Sequence, residues 1–197
     1  MSRLRAFLAV NFPIAVTRRI GEEMSAVRTD IAAAGWRVAW VPQPNLHVTV
    51  KFLGMVESAA VEALQGRLLT ELVPRAPFEL SAAGLGAFPD LDEARVLWAG
   101  VRPSEELLSL QRLVETACDD LGFQREDKPF RPHVTIGRVK DPGTPGSLPP
   151  IFAGRATTTY GSGRVQELVI YESRATRAGQ EYKALARLPL GAGARLA

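Results

Sequence analysis

Apolar residues at Val16, Ile20, Met24, Val27 and Ile31 recur three or four positions apart, with charged residues between them and Gly35 behind. That spacing predicts a helix over Ile14 to Ala34 that buries one stripe. Val61, Leu64, Leu68 and Leu72 repeat the pattern and stop before Pro74. A third stripe, Leu107, Leu110, Val114, Ala117 and Leu121, follows Ser104 and ends at Gly122. Ser104 is a natural N-cap, and Glu105 and Glu106 in the first turn suit the positive end of the helix dipole.

Between the helices the period falls to two. Leu4–Asn11, closed by Phe12-Pro13, reads as a first strand, and Trp36–Val41 as a second. Pro42 to Leu46 turns the chain into a strand that opens at His47 and ends at Gly54. Phe78–Ala87 and Arg95–Val101 read as two strands joined by a turn containing Pro89 and Asp90. His133–Val139 is another strand, and Asp141–Pro150, with four prolines and two glycines, is expected to be an irregular surface loop. Extended runs near Arg155–Tyr160, Val165–Glu172 and Glu181–Leu190 follow, and Gly191–Ala197 is expected to fray.

Strands outnumber helices and come in pairs separated by single helices, which predicts an α+β fold with antiparallel sheets. A near-repeat refines this. His47-Val48-Thr49-Val50 returns as His133-Val134-Thr135-Ile136, 86 residues later in a chain of 197. The expected architecture is one domain over residues 1–197, built as two pseudo-symmetric lobes. Each lobe supplies an antiparallel sheet with one of these strands, the sheets face a central cleft, and the helices cover the outer faces.

The repeated tetrapeptide carries the candidate chemistry. On a strand, Val48 and Val50 point to one face while His47 and Thr49 share the other. Residues two apart are separated by about 6.6–6.8 Å, which lets one anionic group sit between imidazole and hydroxyl. Histidine titrates near neutrality, so of two imidazoles one can accept a proton while the other donates one. Threonine hydroxyls add neutral hydrogen bonds to phosphoryl oxygens. The chain has only two histidines, and both open this motif.

Composition excludes several alternatives. Hydrophobic content of 46% with 23% charged residues is that of a globular protein. Basic residues ahead of the apolar run Ala6–Val10 superficially resemble a secretory leader. The run is short and no small-residue cleavage site follows, so a strand is the better reading. No segment reaches the ~20 apolar residues needed to span a bilayer, and a cytoplasmic protein without membrane partners is expected. The single cysteine, Cys118, precludes an internal disulfide, and with two histidines it cannot make a Cys/His zinc site. It falls on a helix's apolar side, as a small buried hydrophobe. No cofactor is called for, no obligate protein partner is indicated, and a monomer is expected.

The net charge of +3 mildly favours an anionic partner. The local distribution is more informative: Lys51 adjoins the first motif, and Lys128, Arg131, Arg138 and Lys140 surround the second. Lys51 has the strand parity to face the cleft, and Lys128 and Arg131 are placed to guide an anionic partner electrostatically, which the likeness described below makes RNA. Trp36, Trp40 and Trp98 sit in apolar strands and are expected in the core.

The chain resembles the two-histidine phosphoesterases, and within them the RNA 2′,3′-cyclic phosphodiesterases first described as 2′-5′ RNA ligases. The likeness rests on Arg5–Val10, Asn45–Gly54, Arg95–Trp98, Phe130–Arg138, and Tyr171-Glu172-Ser173 with Gly179 and Tyr182. It implies hydrolysis of a 2′,3′-cyclic phosphate end of RNA or a nucleotide to a 2′-phosphate, without a metal. By the same likeness His47 is the proton donor, His133 the proton acceptor, Thr49 and Thr135 hold the phosphate, and Phe52 and Arg138 bind the terminal nucleotide. Simple alternation from the histidines would aim Phe52 and Arg138 away from the cleft, so the strands must twist or end there. The residues alone do not say which imidazole is acid and which is base. Two rivals share the site: 2′-5′ ligation of a cyclic phosphate to a 5′ hydroxyl, and a non-catalytic module that binds RNA ends.

Overall fold

The computed structural model describes residues 3–176 and 179–191. The chain runs β1 (Arg3–Val10), α1 (Ile14–Ala33), β2 (Arg37–Trp40), a 3-10 turn (Gln43–Asn45), β3 (Val48–Glu57), α2 (Ser58–Leu72) and β4 (Phe78–Phe88). It continues through β5 (Val96–Val101), α3 (Glu105–Asp120), β6 (His133–Asp141), α4 (Leu148–Phe152), β7 (Thr159–Val165), β8 (Glu167–Thr176) and β9 (Gly179–Pro189).

Each predicted helical stripe is the buried face of its helix. Val16, Ile20, Val27 and Ile31 of α1 are buried, as are Leu64, Leu68 and Leu72 of α2 and Leu107, Val114 and Cys118 of α3. Full burial of one such leucine contributes on the order of 2 kcal/mol. Leu121, expected on the third stripe, is instead exposed, because α3 ends at Asp120 and Leu121 is already its C-cap. Ser104 caps α3 as expected, its hydroxyl accepting from the Leu107 N–H at 3.2 Å.

The strands are all antiparallel and order as β7-β4-β5-β6-β3-β1-β8-β9, with β2 also paired to β6. The two halves, β3-β1-β8-β9 and β6-β5-β4-β7, meet at a single register pair, Val48 opposite Val134. The expected pair of sheets is thus one curled sheet pinched at its middle. The helices exchange halves: α1, which follows β1, packs on β7 and β2, while α3, which follows β5, packs on β3 beside α2. That exchange knits the halves through one shared core. Among the described residues no helix is long and apolar enough to cross a membrane.

Three further boundaries differ from the sequence reading, each for a local reason. Gly54 does not end β3: it holds φ 73° opposite Ala6, Leu53 is skipped in the pairing, and the strand runs on to Glu57. The stretch Asp141–Pro150 ends in the short helix α4, which Pro149 can enter because its missing N–H is not needed in a first turn. The run read near Arg155–Tyr160 is displaced to Thr159–Val165, since Gly161 and Gly163 lie inside the strand. Gly163 is there for space, as a Cβ would stand 2.2 Å from the Pro13 ring. Of the stretch expected to fray, residues 192–197 lie outside the described residues.

Candidate active site

The side chains around both histidines are sorted by two matching β-bulges. Residues directly opposite in an antiparallel pair point to the same side of the sheet. Between β1 and β3, Ala9 faces Thr49, Leu8 faces Lys51 and Phe7 faces Phe52, so Val50 is skipped. Phe7 and Ala9 share one side of β1. Thr49 and Phe52 therefore share that side, three residues apart, and Lys51 turns with Leu8 to the other.

The second strand repeats this. Gly100 faces His133, Trp98 faces Thr135, Leu97 faces Gly137 and Val96 faces Arg138, so Ile136 is skipped. Hence His133, Thr135 and Arg138 lie on one side. The extra residue sits three positions after each histidine and brings the fifth position, Phe52 or Arg138, onto the cleft face. Unbroken alternation would have aimed both away.

Lys51, read as cleft-facing, is therefore displaced to the helix side. It is 1% exposed, and its ammonium donates to Glu115 Oε1 and Oε2 at 3.0 and 2.8 Å and to Gln124 O at 2.7 Å. The matching position in β6 is Gly137, where a Cβ would stand 2.6 Å from Val38 Cγ1 and 3.3 Å from Trp40. Gly137→Ala is expected to destabilise the protein by about 1–3 kcal/mol through overpacking, read from its denaturant midpoint.

The imidazoles are held alike. Nδ1 of His47 lies 2.7 Å from Asn45 O, and Nδ1 of His133 lies 2.7 Å from Arg131 O. A carbonyl only accepts, so Nδ1 carries the hydrogen in both rings and each Nε2 is left to accept or hold the transferable proton. His47 Nε2 is 3.1 Å from Thr49 Oγ1, which donates to it when the imidazole is neutral. The His47 ring stacks on Phe7 at 4.9 Å and meets the edge of Tyr182 at 5.3 Å, while His133 lies edge-on to Phe88 at 4.9 Å.

Burial is the main force on both titrations. It lowers His47 to about 4, against the raising effect of the Asn45 carbonyl, and the charges of His133 and Arg138 lower it further. His133 is also lowered, first by burial and then by Arg138, against the Arg131 carbonyl. The two imidazoles thus feel one another and share Arg138 as a neighbour.

Thr49, Phe52 and His133 line a cavity of 750 Å³, together with Phe88, Lys128 and Arg131. His47, Thr135 and Arg138 are not part of that lining. Phe52 is 50% exposed, as a platform for a ligand ring would be. Among the described residues no group of three or more His, Cys, Asp and Glu side chains is arranged to hold a metal ion.

A family model described as the 2′-5′ RNA ligase superfamily matches residues 16–177. The chain belongs to this superfamily. It is 32% identical over 180 residues to an RNA 2′,3′-cyclic phosphodiesterase of Methanothermobacter thermautotrophicus, covering 91% of this chain and 95% of that protein. It is likewise 32% identical over 182 residues to an RNA 2′,3′-cyclic phosphodiesterase of Archaeoglobus fulgidus, covering 92% and 98%. Its fold matches Escherichia coli LigT crystallised with 3′-AMP at a TM-score of 0.76 and 24% identity, over 96% of this chain and 99% of that one.

In this member of the superfamily several cleft residues escape a motif reading. Phe7 and Phe88 contact the imidazoles from β1 and β4, and Tyr182 reaches His47 from β9, with only a general aromatic signal in each segment. Trp98, expected in the core with Trp36 and Trp40, is half-buried on the cleft face. The reason is steric: Gly86 beside it carries no side chain, and a Cβ there would meet the Trp98 ring at 2.3 Å. Trp36 is buried, its Nε1 donating to Ser147 Oγ at 2.9 Å, and Trp40 is partly buried against the core.

Proposed function

We propose that this protein hydrolyses 2′,3′-cyclic phosphate ends of RNA or nucleotides to 2′-phosphates, by acid/base catalysis with two histidines and no metal. The observation that carries the reading is the matched pair of rings, each with Nδ1 fixed by a carbonyl two residues upstream and Nε2 left for the substrate. The names of the relatives support the same reaction.

In this scheme water attacks phosphorus in line with the bond to the 3′ oxygen. His133 Nε2 takes the water's proton, and His47 gives its proton to the departing 3′ oxygen, leaving the phosphate on the 2′ oxygen. Thr49, Thr135 and Arg138 hold the phosphoryl oxygens, and Phe52 stacks on the terminal base. The hydroxyl of Thr135 has no hydrogen-bond partner among the described residues, which leaves it available to the phosphate.

With His47 lowered to about 4 by burial, its imidazole is neutral at pH 7 in the free protein, so the acid is made by substrate. A phosphate charge about 4 Å away at an effective dielectric of about 20 contributes roughly 4 kcal/mol, which lifts an imidazole from about 4 to near neutrality. Binding is then coupled to proton uptake. In His133→Ala protein, affinity for a cyclic-phosphate oligouridylate should tighten about tenfold per pH step as pH falls from about 7 toward 4. Uridine and the phosphodiester do not titrate there, so pH-independent affinity counts against His47 as the group that gains the proton.

The direct test is product analysis on a defined oligoribonucleotide ending in a 2′,3′-cyclic phosphate, with and without a chelator. The expected product is a 2′-phosphate end at an unchanged rate in chelator. Strands joined by 2′-5′ bonds, with no 2′-phosphate ends, would overturn the proposal.

A further inference from the structure

The two motifs part company at the residue that follows the repeated tetrapeptide, Lys51 in one and Gly137 in the other. Gly137 leaves room for Val38 and Trp40, so β2 pairs with β6 and closes that flank with a strand. On the flank beside Lys51 the chain from Gln124 to Pro132 forms neither helix nor strand. Its backbone is tied to the sheet at three points: Lys51 Nζ donates to Gln124 O at 2.7 Å, His133 Nδ1 to Arg131 O at 2.7 Å, and the Val101 N–H to Pro132 O at 3.3 Å. Lys51 spends its other two hydrogens on Glu115 of α3. One buried ammonium thus does the job that β2 does in the other half.

The segment it holds forms a wall of the 750 Å³ cavity, through Glu126, Lys128, Pro129, Phe130 and Arg131, with Arg95 and Phe88 opposite. Arg95, Lys128 and Arg131 have no ion-pair partner among the described residues, whereas Arg37, Arg67, Arg112, Arg155 and Arg187 are each paired to a carboxylate. A cyclic phosphate end carries one negative charge, and Arg138 already faces it. Among the residues that line the cavity, these three cations against the carboxylate of Glu126 leave a surplus of two positive charges, or one when Asp127 of the same segment, outside the lining, is counted.

We infer that this wall receives the RNA strand on the 5′ side of the cyclic end, with Lys128 and Arg131 on its next phosphates and Phe130 against a base. Lys51 is the positioning residue that sets the preference for an oligoribonucleotide over a cyclic mononucleotide. The inference rests on the hydrolase reading and adds to it the length of substrate the cleft is built to take.

The test compares 2′,3′-cyclic uridine monophosphate with a tetrauridylate ending in the same group, across a salt series. Wild-type kcat/KM should favour the tetranucleotide about tenfold at low salt. Its log–log salt slope should be steeper by about 1.4, at roughly 0.7 per phosphate contact for a single strand. Lys128→Gln/Arg131→Gln should lose both the preference and the extra slope. Lys51→Met/Glu115→Leu replaces the buried ion pair with apolar side chains, so its denaturant midpoint should stay near wild type while the preference falls, in KM rather than kcat. Equal kcat/KM and equal slopes for the two substrates in wild type, or full preference in both double variants, would overturn the inference. If wild type turns over neither substrate, the hydrolase reading fails, and the same two affinities measured by titration still decide whether the wall binds the strand.

Discussion

His47→Ala and His133→Ala should each lose about 10²–10⁴ in kcat on a cyclic-phosphate oligoribonucleotide while still binding it, because each removes one proton-transfer group and leaves the rest of the cleft in place. Retention of full activity by either variant counts decisively for a module that only binds RNA ends. A sulfur at the 3′ bridging position separates the two roles. A thiolate leaves without protonation, so His47→Ala should recover most of its loss on the 3′-thio substrate and His133→Ala should not. Rescue of His133→Ala alone would exchange the assignments of acid and base. Burial and the charge of His133 lower His47 to about 4, so its donor role depends on the substrate's own charge.

Glu115→Ala should destabilise the protein by about 3 kcal/mol, the low end for breaking a buried ion pair because Glu115 is itself 22% exposed. The Lys51 ammonium, 1% exposed, would keep Gln124 O and lose its counter-charge. Lys51→Met/Glu115→Leu should cost less than about 1 kcal/mol, since neither charge is then buried alone. Urea unfolding at pH 7 checks both. A single variant no worse than the double would mean that the ammonium finds another partner or water.

Much of this was legible along the chain. The three apolar stripes are the three long helices because each supplies a continuous face to one core, and a 3.6-residue period has no other use at that length. The repeated tetrapeptide marked both imidazoles, since β-branched neighbours force strands and a strand with valine on one side must show histidine and threonine on the other. The closing strands β8 and β9 were legible as extended runs.

What escaped the reading turns on single residues. Strand parity sent Lys51 to the cleft and left Phe52 unexplained, and both errors have one source, the skipped Val50. A bulge leaves no mark in composition: Val50 and Ile136 are ordinary strand residues, and only the partner strands reveal that they are unpaired. Trp98 read as core because its strand is apolar, yet its side is fixed by Gly86 on the neighbouring strand β4 and by Gly100 two residues further along β5. Phe7, Phe88 and Tyr182 touch the histidines from strands far away in the chain, and although the likeness ran through Phe7 and Tyr182 it gave neither a role.

The sequence by itself determined the three long helices and most of the strands, the antiparallel α+β class and the two His-x-Thr pairs, because period, β-branching and residue chemistry are local properties. Only the tertiary structure decided which side chains meet across the pinch at Val48 and Val134, that the fifth position after each histidine turns into the cleft, and that Lys51 becomes an internal tether. Those outcomes depend on pairing register, and register is settled by the fit between strands that the chain brings together from a distance.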